Sequence, residues 1–178
     1  EENWRAGVEK VLPEISGKLE LDARMAGKPV TLSAKADRVD VLADGAARIF
    51  DYKTGTLPSA DPEAAGYDAQ LDLEAAMLLH GAFRGQPAVR EVADALYVRV
   101  NGGWPPGETR SLTRKTTGFP ERAELALDRL SGLLKDYGRE DQPYLPVGHG
   151  PGTDRPSDYE HLSRWREWIF HLVAEEER

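Results

Sequence analysis

An Asp-Gly turn between two strand-like segments constrains the fold of this chain more than any other sequence feature. The segments are residues 30–42 and 46–53, and Asp44-Gly45 lies between them. An Asp-Gly pair flanked by alternating apolar residues is among the strongest short-range signals for a β-hairpin. The sequence therefore predicts that the two segments pair as adjacent antiparallel strands.

Three of the charged side chains in these paired segments, Asp37, Asp51 and Lys53, are candidates for a common site. Side chains alternate between the two faces of a strand, so Asp51 and Lys53 share one face with Ile49, while Asp37 ends the apolar-rich stretch of the preceding strand. Such groups at the end of an apolar strand are costly to desolvate without a partner or a metal. The pattern predicts a site for a hard cation with oxygen ligands and an activated water. The alternative is a surface salt bridge between Asp51 and Lys53, with Asp37 solvated.

The spacing of the two aspartates provides a test of this site. Asp37 and Asp51 are fourteen positions apart. They face each other directly only if the loop around Asp44-Gly45 holds an odd number of residues, or if a bulge restores the parity. Two carboxylates on opposite faces of the sheet would exclude a shared site.

The rest of the chain has the element order of an α/β domain. Its 178 residues are enough for one good core and too few for two typical domains. We predict one domain over residues 1–178, with a core at about 14–138 and a helical extension at 139–178. Besides the hairpin, the predicted elements are a short helix at 4–11, a strand at 18–25, a helix that begins near 63 and runs towards 83, a strand at 93–100, a loop at 101–107, a helix at 119–137, an extended Pro- and Gly-rich segment at 142–156 and a helix at 158–177.

Composition narrows the classes of protein further. The chain has no cysteine, which excludes disulfides within it and is compatible with a cytoplasmic location. No apolar run reaches the roughly 18 residues that a membrane helix needs, so no membrane contact is predicted. The net charge of −8 is unusual for a domain that holds DNA alone, because phosphate neutralisation supplies most of that affinity. DNA binding would therefore need bound cations or a basic surface from a partner, and the alternative is that the chain does not bind DNA.

Three motifs follow one another along the chain: Ala36-Asp-Arg-Val-Asp40, Asp51-Tyr-Lys-Thr-Gly55 and Gln70-Leu-Asp-Leu-Glu-Ala-Ala76. In this order they resemble the RecB-like branch of the PD-(D/E)XK nuclease superfamily. The resemblance is closest to the C-terminal nuclease domain of the AddB subunit of bacterial AddAB helicase–nucleases. It implies an α/β fold of the restriction-endonuclease-like type, with a mixed central sheet flanked by helices. It also implies that the chain is a fragment of a larger helicase–nuclease subunit.

The resemblance assigns roles to five residues of this sequence. Asp37 and Asp51 would be the metal-binding carboxylates, together with the backbone carbonyl of Tyr52. Lys53 would orient the attacking water, and Gln70 would hold the lysine or the DNA near the site, although a solvated position on a helix is an equal alternative for Gln70. The implied cofactor is Mg²⁺, with Mn²⁺ as a substitute. The absence of cysteine means that the iron–sulfur cluster of some AddB relatives has no ligands here.

The sequence departs from the family pattern at two places. Glu74 replaces the tyrosine of the family's Gln-x-x-x-Tyr motif, which puts a further carboxylate one helical turn after Gln70. The upstream histidine ligand of RecB-like nucleases has no counterpart, since no histidine precedes His80. Glu9, Glu14 or Glu20 could substitute for it, but we expect instead that the segment with this ligand lies outside the fragment. Arg110, Arg114 and Lys115 form a local basic cluster that we interpret as a solvated loop.

The sequence thus predicts a metal-dependent DNA (exo)nuclease domain that hydrolyses phosphodiester bonds in double-strand-break end processing and recombinational repair. DNA and an AddA-like helicase–nuclease subunit are the predicted partners. We expect the isolated fragment to bind DNA weakly and to cleave it little. The alternative is a nuclease fold retained as a non-catalytic interaction or scaffold module of a recombination complex.

Overall fold

The described part of the protein contains a five-stranded mixed sheet and two helices. The computed structural model describes residues 5–59, 69–102, 107–113 and 119–143. The elements in chain order are β1 Val8–Met25, β2 Lys28–Leu42, β3 Ala47–Lys53, α1 Gln70–Leu79, β4 Val92–Arg99, β5 Glu108–Ser111 and α2 Phe119–Tyr137. The strands lie in the order β1-β2-β3-β4-β5. Only the β3–β4 pair is parallel within these described strands.

The sheet and helices confirm the predicted fold class. A parallel pair needs a crossover connection, and α1 lies in the connection between β3 and β4. Both helices pack on the same core, which contains Ile49 of β3, Tyr97 of β4, Leu71 of α1 and Ala123 of α2. No helix in the described ranges is long and apolar enough to cross a membrane. The charged motif residues at the end of β3 lie beside Gln70, the first residue of α1.

The turn between β2 and β3 holds three residues inside a pair of hydrogen-bonded residues, Leu42 and Ala46. The backbone N–H of Leu42 donates to the carbonyl of Ala46 at 2.8 Å, which leaves Ala43, Asp44 and Gly45 in the loop. Gly45 has a φ of 82°, a left-handed conformation that favours glycine, and the Asp44 side chain accepts from the N–H of Ala46 at 3.0 Å. The predicted Asp-Gly hairpin is confirmed, and its loop holds an odd number of residues.

The predicted N-terminal helix is wrong. Residues 4–11 were expected to be helical and to end before Pro13, but β1 begins at Val8 and continues through Pro13 to Met25. Pro13 pairs in register with Arg38 of β2, and β1 is an edge strand of the described sheet. A proline is tolerated on an edge strand because its missing N–H leaves a central ladder intact. Long pairing with β2 therefore overrides the local helical pattern.

The alternation of faces breaks in the middle of the β1–β2 pair. Ala36 and Val39 are three residues apart, yet both are fully buried in the same core. On the neighbouring strand Glu14 has a φ of 49°, outside the extended range. Asp37, the first residue of the predicted site, lies at this irregularity. The positions of β2 that face the core change there from even-numbered (Ala36) to odd-numbered (Val39).

Two of the remaining predictions are confirmed and others lie outside the described residues. The helix over 119–137 has the predicted bounds, and the strand predicted at 93–100 is β4, Val92–Arg99. The start of the helix near residue 63 and the last helix at 158–177 lie outside the described residues. The boundary between a core at about 14–138 and a helical extension at 139–178 stays a prediction.

Candidate active site

The two predicted metal-binding aspartates lie just beyond the end of the hairpin ladder. Arg38 pairs with Phe50 and Val39 pairs with Ile49. The ladder ends at the Arg38–Phe50 pair, one position before Asp37 and Asp51. The charges of both aspartates act on Glu74 of α1, which agrees with a shared face, and the shared site stays a prediction.

Asp37 is held in place by the main chain of β3. The β2–β3 ladder ends at Arg38 and Phe50, and one position further the N–H of Tyr52 donates to Asp37 Oδ2 at 2.9 Å. A charge-assisted hydrogen bond of this kind is stronger than a neutral one. The carboxylate of Asp37, which is an exposed residue, is therefore fixed beside the end of β3.

Asp51 is buried, and one of its oxygens accepts no hydrogen bond. Its Oδ1 accepts from Lys53 Nζ at 3.2 Å and from Gln70 Nε2 at 2.8 Å. Its Oδ2 lies 3.0 Å from Lys53 Nζ as part of the ion pair, but the angle is not that of a hydrogen bond. A buried acceptor without a donor is costly, so Asp51 retains the capacity to accept one more strong partner.

Gln70 connects the carboxylates to the lysine. It is the first residue of α1, and its Oε1 accepts from Lys53 Nζ at 3.0 Å. Its Nε2 donates both to Asp51 Oδ1 and to Glu74 Oε1, at 2.8 and 3.2 Å. The amide orientation follows from chemistry, because only the carbonyl oxygen accepts from an ammonium and only the NH₂ group donates to carboxylates. Gln70 is an exposed residue on a helix, as the solvated alternative has it, but its amide group also bonds Asp51 and Lys53, and its role stays a prediction.

Glu74 belongs to the same cluster, although it was not among the predicted site residues. It is 4% exposed, and its Oε2 is buried without a hydrogen-bond partner. Burial raises the pKa of Glu74 to about 7, and the negative charges of Asp51 and Asp37 add to the rise, against the hydrogen bond from Gln70 and the charge of Lys53. The sequence signal was its position one helical turn after Gln70, but sequence alone does not show that this side chain is buried.

The arrangement fits a hard cation. Asp51 and Glu74 each have one buried oxygen without a hydrogen-bond donor, and negative charges around Glu74 outweigh the one lysine. No group of three His, Cys, Asp or Glu residues forms a ready-made metal cluster within the described ranges. Mg²⁺ keeps several waters and often takes only one or two protein carboxylates. Asp37, Asp51 and the Tyr52 carbonyl would therefore be enough protein ligands for this ion.

Glu14, one of the glutamates upstream of the hairpin, is engaged elsewhere. It is exposed, and its Oε2 pairs with Lys35 Nζ at 2.8 Å. The hydrogen bond and charge of Lys35 lower the pKa of Glu14. Because Glu14 is exposed and paired with Lys35, it is a poor substitute for the upstream histidine of RecB-like nucleases.

Arg110 differs from the solvated-loop interpretation of the basic cluster, whose other members, Arg114 and Lys115, lie outside the described residues. It was expected in a solvated loop, but it lies in β5, and its guanidinium donates to the carbonyls of Leu57 and Pro58 at 3.0 and 2.7 Å. The sequence contained no clear strand pattern here, because β5 is four residues long and forms through pairing with β4. Arg110 thus holds the segment that follows the Asp51-Tyr52-Lys53 strand.

Comparison with a protein-family model decides the family. A model of the PD-(D/E)XK nuclease superfamily matches residues 3–176. The chain belongs to this superfamily. Its mixed five-stranded sheet with flanking helices is consistent with the restriction-endonuclease-like fold of PD-(D/E)XK nucleases. The match covers the whole region of Asp37, Asp51 and Lys53 and assigns no role to single residues, so their individual roles stay predictions.

Similar proteins add little about function. An uncharacterized protein of Rickettsia bellii is 34% identical over 79 residues, which is 44% of this chain and 9% of that protein. An uncharacterized protein of Rickettsia typhi is 35% identical over 79 residues, again 44% of this chain and 9% of the relative. The solved structure titled "Crystal structure of SSO0001" has a TM-score of 0.39 and 16% identity, and the match covers 72% of this chain and 54% of that one. A likeness this weak carries no argument.

Proposed function

We propose that this chain is a Mg²⁺-dependent DNA exonuclease domain of the RecB-like type, in which Mn²⁺ can replace Mg²⁺. The observation that carries the proposal is the position of Lys53. Its Nζ lies 3.0 Å from Asp51 Oδ2 and 3.0 Å from Gln70 Oε1, beside a buried carboxylate that lacks one donor. A lysine fixed next to an electron-rich oxygen site is the arrangement needed to orient a water beside a bound cation.

Each residue of the site has a separate role in the proposed hydrolysis of a phosphodiester bond. Asp37 and Asp51 would hold the cation, with the Tyr52 carbonyl as a third oxygen. When bound, a divalent cation stabilises the charge that develops on the phosphate oxygens and lowers the pKa of a bound water. Lys53 donates a hydrogen bond that orients the attacking water. Gln70 keeps the Lys53 ammonium from swinging away, because its Oε1 accepts from Nζ.

The biological setting of the proposal is double-strand-break end processing and recombinational repair in the cytoplasm. It is supported by the resemblance of the three motifs to AddB nuclease domains. The net charge of −8 favours a domain that receives its DNA strand from another surface. An AddA-like helicase–nuclease subunit is the partner that would supply this strand. The matched stretch is 9% of its Rickettsia relatives, and a domain within a much longer protein agrees with such a partner.

The test measures degradation of linear DNA with Mg²⁺ by the helicase–nuclease in which this domain is proposed to work. Asp51→Ala and Lys53→Ala should each abolish degradation of one strand, by at least about a thousandfold, since each removes charge stabilisation or water orientation at the reacting phosphate. ATP-driven unwinding should persist, because no helicase part changes. Degradation of that strand at the wild-type rate in either variant would refute the assignment.

An exposed pair of the same chemical type provides a matched control. Asp22 and Lys135 form an ion pair at 2.8 Å, with side chains 98% and 53% exposed. Asp22→Ala and Lys135→Ala remove the same groups as the site variants and should leave degradation unchanged. If the wild-type complex unwinds DNA, degrades neither strand of it and yet needs the folded domain for assembly, the domain is a non-catalytic scaffold.

A further inference from the structure

Glu74 is a buried carboxylate for which the motif of the RecB-like nucleases gives no role. It lies one turn from Gln70 on α1, and one amide nitrogen, Gln70 Nε2, donates to both Glu74 Oε1 and Asp51 Oδ1. The two carboxylates are thus separated by a single NH₂ group. Each has its second oxygen buried without a hydrogen bond.

The charges around this pair are unbalanced. The negative charges of Asp51 and Asp37 act on Glu74, and the positive charge of Lys53 opposes them there. Close carboxylates that share one lysine are stabilised by a further positive charge, because a buried uncompensated charge is costly. In the ion-free protein the weakly positive NH₂ group of Gln70 occupies the position between the two acids.

We propose that Glu74 is a further carboxylate ligand of the divalent cation, shared with Asp51. The inference rests on the proposed function, since it concerns the same cation site. It means that α1 contributes a ligand where the related motif has a tyrosine. An additional carboxylate from a helix would also tie α1 to the end of β3 when the ion is bound.

A structural role for Glu74 is the competing explanation. A glutamate that stays protonated could simply fill space beside Gln70 and bind no ion. The two roles differ in a measurable way, because Glu74→Gln keeps the size of the side chain and the oxygen that accepts from Gln70. The variant loses the negative charge and one oxygen ligand. Cation affinity, measured without DNA, therefore separates a ligand from a packing group.

The experiment measures Mn²⁺ binding to the DNA-free chain by titration calorimetry at neutral pH. Glu74→Gln should weaken binding by at least about tenfold, since even residues that only hydrogen-bond a metal ligand contribute that much. Asp51→Asn should weaken it at least as strongly. Glu124→Gln is the matched control, because Glu124 is half-exposed on α2 and pairs with His80, and its affinity should equal that of the wild type.

The outcomes distinguish this inference from the proposed function. Wild-type affinity in Glu74→Gln, with loss of binding in Asp51→Asn, would overturn the role of Glu74 and leave the nuclease site intact. Absence of Mn²⁺ binding in the wild-type chain would overturn both. Glu74→Met provides a second variant of similar length if Glu74→Gln does not fold, because it fills a buried helical position without charge. It should show the same loss of affinity.

Discussion

Two buried aspartates on neighbouring strands of the sheet have contrasting partners. Asp40 of β2 is fully buried, and its oxygens accept from Arg38 Nε and Nη2, both at 2.7 Å. Asp51 of β3 is buried on the opposite face, where one oxygen accepts two hydrogen bonds and the other none. Arg38 donates to both oxygens of Asp40, whereas Lys53 and Gln70 both donate to the same oxygen of Asp51.

The same contrast recurs within α1. Asp72 is buried and accepts from Arg122 Nε and Nη2 at 2.8 and 2.9 Å. Glu74, two residues later, receives one hydrogen bond from the amide of Gln70. A carboxylate that accepts two hydrogen bonds from one guanidinium has little capacity left to bind a cation. A carboxylate with an oxygen that lacks a donor retains that capacity. The pattern of partners thus separates acids that stabilise the fold from acids that are available for chemistry.

The largest stability effect should come from breaking the structural pair. Arg38→Met should destabilise the protein by about 3–5 kcal/mol, because it leaves Asp40 as a buried charge without a counter-ion. Equilibrium unfolding in urea measures the change. Arg90→Met is the control: Arg90 is 58% exposed in its pairs with Asp44 and Glu91, and its loss should cost less than about 1 kcal/mol. A similar small loss in Arg38→Met would end the distinction between the two aspartates.

The next effect concerns Glu74 and pH. The folded protein holds a proton on Glu74 up to a pKa of about 7, against an ordinary value of 4.5. The folded state therefore binds more protons than the unfolded state between these values, and the free energy of unfolding should fall by about 2–3 kcal/mol as pH rises through this window. Unfolding in a chelator across this range measures the fall. Glu74→Gln should show a shallower slope, and identical slopes would contradict the assignment.

A smaller effect is expected from the cation itself. Mn²⁺ at about ten times its dissociation constant should stabilise the folded chain by about 1–2 kcal/mol and raise the melting temperature. Asp51→Asn should abolish this rise and keep the fold, because it retains shape and loses charge. Thermal unfolding with and without Mn²⁺ measures both. An equal rise in wild type and variant would place the ion elsewhere, and no rise in the wild type would favour the scaffold alternative.

The smallest effect should follow removal of the Tyr52 hydroxyl. Asp37 is anchored by the main-chain N–H of Tyr52, and the hydroxyl lies on the other face at 3.5 Å from Arg38 Nη1, a long contact. Tyr52→Phe should change stability by less than about 0.5 kcal/mol and leave Mn²⁺ binding unchanged. Urea unfolding and calorimetry measure both quantities. A clear loss of Mn²⁺ affinity would mean that the two faces of β3 are coupled.

Much of the candidate site follows from local sequence. The Asp44-Gly45 turn predicts the hairpin. For Asp37 and Asp51 to face each other, their spacing requires a loop with an odd number of residues, and the structure has such a loop. Alternation along β3 places Asp51 and Lys53 on the face of Ile49. These features are predictable because turn conformation and strand periodicity depend on a few adjacent residues.

The same local logic fails where distant segments decide the outcome. Residues 8–11 carry a helical pattern, but pairing with β2 makes them part of a long edge strand. Arg110 was expected in a loop, and pairing with β4 places it in β5 with its guanidinium on two carbonyls more than fifty residues earlier. Pairing energy from distant chain outweighs weak local propensity in both cases.

The sequence by itself determined the fold class, the hairpin and the candidate set of Asp37, Asp51, Lys53 and Gln70, because spacing alone assigns residues to faces and motifs. Only the tertiary structure decided which acids have an arginine partner. Arg38 is two residues from Asp40, but Arg122 reaches Asp72 across fifty positions. It also decided that Glu74 is buried with an oxygen left unsatisfied. Burial and the number of donors depend on everything that packs around a side chain, and this information is spread over the whole chain.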